Sequence, residues 1–216
     1  MKRVFGIFEA VFDVLYLCIS FVLGLVLIIT SSSNEPRMIA GIMSLVLSCG
    51  DAFHLVPRIC VILKGDEEFF RASLGRGKQI TSITMTIFYL LLWQIGKFYL
   101  PLSATNTWTY IIYSLAAIRI ILCLFPQNKW KERYAPLDWS IWRNIPFFIL
   151  GFIIAIFFFI YRSELLGLYW SYLAIILSFA FYLPVVLWSN QNPKIGMLML
   201  PKTCAYVWIL IMCLSL

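Results

Sequence analysis

Ionisable side chains interrupt the apolar stretches of this sequence and are the residues that could do chemistry. Residues 38–63 are otherwise almost wholly apolar, yet they include GDAFHLVPR at 50–58, with Asp51, His54 and Arg58. An ionisable group in a membrane span costs roughly 2.5–3.5 kcal/mol on insertion scales, so it usually faces the interior and has a partner. Buried carboxyls can hold and transfer a proton, and Arg or Lys can bind phosphate. Seven such residues occur: Glu9, Asp13, Asp51, His54, Arg58, Arg119 and Lys202.

The elements that must position these residues are membrane-spanning helices. The 216 residues are 62% hydrophobic and only 12% charged, about half the charged fraction of a soluble domain, and the mean hydropathy is +0.90. The apolar blocks are continuous rather than alternating, which favours helices over a β-barrel. A span needs roughly 20 apolar residues. The sequence therefore predicts one all-α transmembrane domain over residues 1–216, with spans at 4–30, 38–63, 80–99, 105–125, 145–161, 168–188 and 196–216.

The basic residues predict the orientation of these spans. If the N-terminus is cytoplasmic, eleven Lys and Arg residues lie inside and three lie outside, in agreement with the positive-inside rule. The first span is expected to be retained, because it is too long for a signal peptide and carries two acids. We therefore expect a multi-pass integral membrane protein, in the cytoplasmic membrane if the source is bacterial. The net charge of +7 is a topology signal with some attraction to anionic lipids, and nothing in it indicates nucleic acid.

Two longer cytoplasmic loops are expected. The first is KGDEEFFRASLGRGKQ at 64–79, and the second is PQNKWKERYAPLDWSIWRN at 126–144. The second interleaves basic and aromatic residues, which is typical of a segment at the lipid headgroup level. Its aromatic residues are Trp130, Tyr134, Trp139 and Trp142.

The predicted depths of the seven ionisable residues coincide. At ~1.5 Å per residue from the cytoplasmic end of each predicted helix, Asp51 lies deepest, ~20 Å in, and Asp13 and His54 lie ~14–15 Å in. The remaining four lie nearer that end, so six of the seven fall in the cytoplasmic half. This coincidence predicts a polar cavity that opens to the cytoplasm, with Asp51 at its floor.

Pairing follows from the same depths. We expect the pairs Glu9–Arg58 and Asp13–His54, which leaves Arg119 and Lys202 to bind an anionic group. On the second helix the steps of three and four put one stripe on one face: Ser44, Ser48, Asp51, then His54 or Leu55, and Arg58. Purely structural roles also stay open for some of these residues. Arg58 and Lys202 could snorkel to the interface, Glu9 could serve only as an ion-pair partner, and His54 could be a hydrogen-bonded interior residue.

The opening stretch resembles a known family. GDAFHLVPR at 50–58 resembles the G-D-x-x-L-x-P-R segment of the lysoplasmalogenase (YhhN-type) membrane proteins, and ITSITMTIFYLLLW at 80–93 is similar to the next helix of that family. With the residues between them, these stretches cover about a fifth of the chain. The chain differs at Thr81 and Ser82, where the family carries a histidine, and has seven predicted spans rather than eight.

The resemblance implies hydrolysis of the vinyl ether of a lysoplasmalogen to a fatty aldehyde and a glycerophospho-alcohol. That reaction needs a proton on carbon and then water on an oxocarbenium ion. Asp51 is expected to be the acid, Asp13 its partner carboxylate and His54 an orienting residue, the three forming the catalytic group. Arg58, Arg119 or Lys202 is expected to hold the phosphate, with Glu9 in the same substrate-binding group. The partners implied are membrane lipids and a lysophospholipid-like substrate.

Other functions stay open. A proton-coupled small-molecule transporter or ligand-binding membrane protein would need similar buried charges, and Pro57, Pro184 and Pro201 could break helices around a site. A structural or regulatory subunit would use the charges as ion pairs that fix helix register. No cofactor or metal is expected, because the chain has one histidine and its six cysteines contain no C-x-x-C pair.

Overall fold

The protein is a bundle of helices in every part of the chain that the structure describes. That structure, a computed structural model, describes residues 2–132, 135–165, 167–189 and 191–216, and only the backbone of 2–5, 104 and 193. The α-helices are α1 (Lys2–Ile29), α2 (Glu35–Lys64), α3 (Glu67–Lys97), α4 (Leu102–Leu124), α5 (Leu137–Ile160), α6 (Ser171–Trp188) and α7 (Met199–Met212). Short 3-10 turns occur at Pro126–Asn128, Pro193–Leu198 and Cys213–Ser215. Within these described ranges, seven helical segments are long and apolar enough to cross a membrane, which confirms the prediction of an all-α, seven-span bundle.

The predicted loop at residues 64–79 is wrong, because most of it is helical. Only Gly65 and Asp66 separate α2 from α3. Gly65 has a left-handed backbone (φ 79°) and its N–H donates to the carbonyl of Val61, which ends α2. Asp66 caps α3 by accepting a hydrogen bond from the N–H of Phe69 at 3.0 Å. At 31 residues α3 is about 45 Å long, longer than the roughly 30 Å hydrocarbon core.

The second predicted loop is also shorter than expected. After the 3-10 turn at Pro126–Asn128, α5 begins at Leu137, so Trp139 and Trp142 are helical. Arg133 and Tyr134 lie outside the described residues. The connection between α4 and α5 therefore spans about a dozen residues. It is somewhat longer than most connections between packed helices.

Small residues let α2 and α3 pack closely. A Cβ atom on Gly77 would collide with the carbonyl oxygen of Phe53 and lie 2.7 Å from the Cα of His54. A Cβ atom on Gly50 would collide with the Thr84 side chain. Because neither position has room for a side chain, the two helices approach backbone to backbone. This close approach fixes His54 against α3.

An aromatic cluster joins α3 to the later helices. The Tyr89 ring contacts Phe147 of α5 and Phe179 of α6 at centroid distances of 5.2 and 5.5 Å, and Tyr206 of α7 at 6.5 Å. Its hydroxyl is also 3.1 Å from the Ser178 hydroxyl of α6. Buried aromatic contacts of this kind contribute about 0.5–1.5 kcal/mol each beyond their burial. Because lipid offers no hydrophobic driving force, such packing holds membrane helices together.

Candidate functional site

The structure sorts the seven predicted site residues into two neighbouring groups. One group lies between α1 and α2, and the other lines a cavity at the end of the bundle where α2 meets α3. We call that end the inner end, since the charge distribution predicts that it is cytoplasmic. The first group is Glu9, Asp13, Asp51 and Arg58, and the second is His54, Arg119 and Lys202.

The interface of α1 and α2 contains the ion pair predicted between Glu9 and Arg58. Arg58 Nε lies 2.8 Å from Glu9 Oε1, which confirms the pairing. Deeper in the bundle, the Tyr16 hydroxyl donates a 2.6 Å hydrogen bond to Asp51 Oδ2. The sequence interpretation missed Tyr16, although its spacing from Glu9 through Asp13 in steps of four and three marks one helix face. Asp51 is therefore held against α1.

The predicted pair of Asp13 and His54 is wrong. Among the described residues the two side chains share no hydrogen bond or ion pair, and the buried Nδ1 of His54 has no hydrogen-bond partner. Ser44, Asp51 and Arg58 recur every seven residues and face α1, whereas a step of three residues turns His54 by about 60° around the helix axis. That rotation points His54 towards α3 and the cavity.

The cavity is strongly basic, and we call it the basic cavity. Its volume is about 250 Å³. Among the residues that the structure describes, its charged lining consists of four cations, Lys78, Arg119, Arg143 and Lys202, and one carboxylate, Glu132. His54, Phe147, Trp130 and Tyr182 also line it. The expected polar cavity is present, but the prediction that Asp51 forms its floor is wrong, because Asp51 is not in the lining.

Two cations are buried in the basic cavity without a carboxylate. Arg119 is 2% exposed and Lys202 is 6% exposed, and neither has a carboxylate within 4.0 Å among the residues that the structure describes. Arg119 Nε and Nη1 also lack hydrogen-bond partners there. The burial of Lys202 does not fit snorkelling, which would place the ammonium in water. A buried charge without a directly paired counter-ion is costly, so this arrangement favours a site prepared for an anion.

Aromatic rings partly compensate these cations. The guanidinium of Arg119 lies 3.2 Å from the Phe147 ring centroid, and the ammonium of Lys202 lies 4.3 Å from that of Tyr182. A desolvated cation–π contact contributes about 2 kcal/mol or more. It leaves the polar hydrogens that point away from the ring available to a ligand.

The connection between α4 and α5 builds one wall of the basic cavity. Arg143 donates to Asn128 Oδ1 at 2.9 Å and to Ser140 Oγ at 3.1 Å, and its guanidinium lies 4.2 Å from the Trp130 ring centroid. Trp130 in turn donates through Nε1 to the carbonyl of Cys123 at 3.0 Å. The sequence interpretation counted Arg143 only as a topology signal. These bonds fix its side chain in the site.

Lys202 links the two groups of residues. It interacts electrostatically with Arg119 inside the basic cavity and with Asp51 behind it. Asp51 is one helical turn from His54, so its carboxyl lies beside the basic cavity and outside its lining. The described residues contain no cluster of three or more His, Cys, Asp or Glu side chains that could hold a metal ion.

Comparisons with known proteins identify no relative of this chain. The chain matches no protein-family model, no curated protein and no solved structure. The resemblance to lysoplasmalogenases therefore stays a prediction.

Proposed function

We propose that the protein is a membrane-embedded lipid hydrolase that acts on a lysophospholipid and holds the lipid phosphate in the basic cavity. The observation that carries this proposal is the pair of buried cations, Arg119 and Lys202, that have no carboxylate partner among the described residues. A phosphate would supply the missing negative charge through charge-assisted hydrogen bonds. Arg58 is already engaged by Glu9, so Arg119 and Lys202 are the better phosphate ligands.

The size of the cavity limits which part of a lipid it can hold. Its volume of about 250 Å³ is below the roughly 300–1,000 Å³ of sites for drug-sized ligands. It therefore suits a head group, with the hydrocarbon chain left in the bilayer. A lipid with one chain satisfies this requirement with the least crowding at the mouth.

The resemblance supplies the reaction that we propose. Asp51 gives a proton to the vinyl carbon distal to the ether oxygen, and the positive charge then develops on the oxocarbenium ion. Asp13 stabilises that charge, and His54, which lines the cavity, orients the substrate. Water adds to the cation and returns a proton to Asp51, and the hemiacetal splits into a fatty aldehyde and the glycerophospho-alcohol. One water is consumed and no cofactor is required.

The release of aldehyde tests this proposal. Detergent-purified protein is incubated with alkenyl and acyl lysophospholipids, and the products are identified by mass spectrometry. We expect aldehyde from the alkenyl lipid with the native protein and none with Asp51→Asn. Asp138→Asn is the matched control, since Asp138 is an exposed acid in the first turn of α5 and is not in the cavity lining. Equal aldehyde release from native protein and Asp51→Asn would remove Asp51 as the acid.

A second candidate is a carrier or binding protein for a small anion. It is favoured by one observation, namely that Asp13 and Asp51 lie outside the lining of the basic cavity. A site without chemistry needs the cations alone. Uptake of a labelled phosphate ester into proteoliposomes, with no product from any lysolipid, would select this function over the hydrolase.

A further inference from the structure

We infer that the basic cavity selects a terminal phosphate monoester and rejects a zwitterionic head group such as phosphocholine or phosphoethanolamine. The inference rests on the proposed function, in which the lipid phosphate occupies this cavity. It adds the head-group class, which neither the sequence nor the resemblance specifies.

The charge of the cavity matches a dianion. Four cations and one carboxylate give the described part of its lining a formal charge of +3 with His54 neutral. That carboxylate, Glu132, lies 3.3 Å from Lys129 Nζ and is already ion-paired. A phosphate monoester carries a charge of about −1.5 to −2 at pH 7, whereas a phosphodiester carries −1. The second negative charge is therefore stabilised in this cavity.

Among the described residues, the cavity offers a quaternary ammonium group no aromatic ring that is free of a cation. Proteins bind choline by surrounding it with rings, and three rings of the described residues line this cavity. Each already carries one of the protein's own cations: Arg143 lies on Trp130 at 4.2 Å, Arg119 on Phe147 at 3.2 Å and Lys202 on Tyr182 at 4.3 Å. A ligand ammonium would meet these cations instead of the rings. The cavity thus repels the positive end of a zwitterionic head group.

The mouth of the cavity acts in the same direction. The cavity volume of about 250 Å³ holds the phosphate at Arg119 and Lys202, and any extension of the head group lies nearer the mouth. An extension would have to leave through the mouth, where Lys78 and Arg143 add further positive charge. A phosphate that ends the head group has no such extension.

Competition binding with ether lipids tests the inference without requiring hydrolysis. Saturated 1-O-hexadecyl-glycerol 3-phosphate and the phosphocholine lipid with the same chain compete for purified protein against a fluorescent lysolipid. We expect the phosphate monoester to bind at least tenfold more tightly. Equal affinity, or tighter binding of the phosphocholine lipid, would overturn the inference. Since neither probe has a vinyl ether, the result is independent of the aldehyde assay.

A third probe separates the two sources of a phosphate monoester. If glycerol 3-phosphate competes as well as the ether lipid, the head-group inference holds but the ligand is soluble and the lipid-hydrolase proposal fails. If only the lipid competes, both stand. Lys78→Gln at the mouth should reduce the preference for the monoester severalfold. Lys97→Gln, at the opposite end of α3, should leave it unchanged, and a preference equally insensitive to both changes would contradict a role for the cavity charge.

Discussion

Replacing Arg119 by methionine should weaken lipid binding without destabilising the protein. In the free protein the buried guanidinium costs about 2.5–3.5 kcal/mol on insertion scales, and its contact with Phe147 at 3.2 Å returns about 2 kcal/mol. The variant should therefore be about as stable as the native protein or about 1 kcal/mol more stable. With ligand bound, it loses charge-assisted hydrogen bonds of about 1.5–3 kcal/mol. At about 1.4 kcal/mol per tenfold, affinity should fall roughly 10- to 150-fold.

The assay combines two readouts on the same preparation. Thermal unfolding in detergent reports stability, and competition by 1-O-hexadecyl-glycerol 3-phosphate reports affinity. Arg162→Met is the matched control, because Arg162 also lies on a ring, 4.6 Å from the Phe159 centroid, but at the opposite end of the bundle. A large fall in the melting temperature of Arg119→Met with unchanged affinity would refute the reasoning. It would show that Arg119 is structural.

Three further predictions follow from the contacts between helices. Gly77→Ala should lower the free energy of unfolding by about 1–3 kcal/mol, because the added Cβ atom has no space. Gly196→Ala is the control and should cost little, because a Cβ atom there has nothing within 4 Å. Thermal unfolding of both variants measures the difference. Exchanging Glu9 and Arg58 should restore most of the stability that Glu9→Arg alone removes, since the pair is 2.8 Å apart; a double variant no better than the single one contradicts the pairing. Tyr16→Phe should slow aldehyde release roughly tenfold, because it removes the hydrogen bond that stabilises the carboxylate formed when Asp51 gives up its proton; lipid affinity should stay constant, since Tyr16 is not in the cavity lining.

The composition and the apolar blocks were sufficient to predict the fold. The seven spans could be located because the mean hydropathy of a long segment directly indicates whether that segment lies in lipid. The same signal failed at the inner end of α3, because helices continue past the apolar region when caps and short turns allow it. Asp66 and Gly65 provide such a cap and turn, and both residue types are equally common in long loops.

The candidate site was predicted only in part. Depth along each helix placed His54, Arg119 and Lys202 in the cytoplasmic half, and the structure brings them to one cavity. The direction in which each side chain points around the helix axis was harder to predict. Over a short stretch, residues three, four or seven positions apart all lie on roughly the same side of a helix. Lys78 and Arg143 were hidden for another reason. Basic residues near a helix end indicate topology whether or not they also line a site.

A crystal structure of the protein with 1-O-hexadecyl-glycerol 3-phosphate tests the central claim most directly. The account predicts phosphate density in the basic cavity, with phosphate oxygens about 2.7–2.9 Å from Arg119 or Lys202 nitrogens. The hydrocarbon chain should leave the cavity towards the bilayer. Phosphate density at Arg58 or on the surface of the inner end, with none between Arg119 and Lys202, would contradict the account.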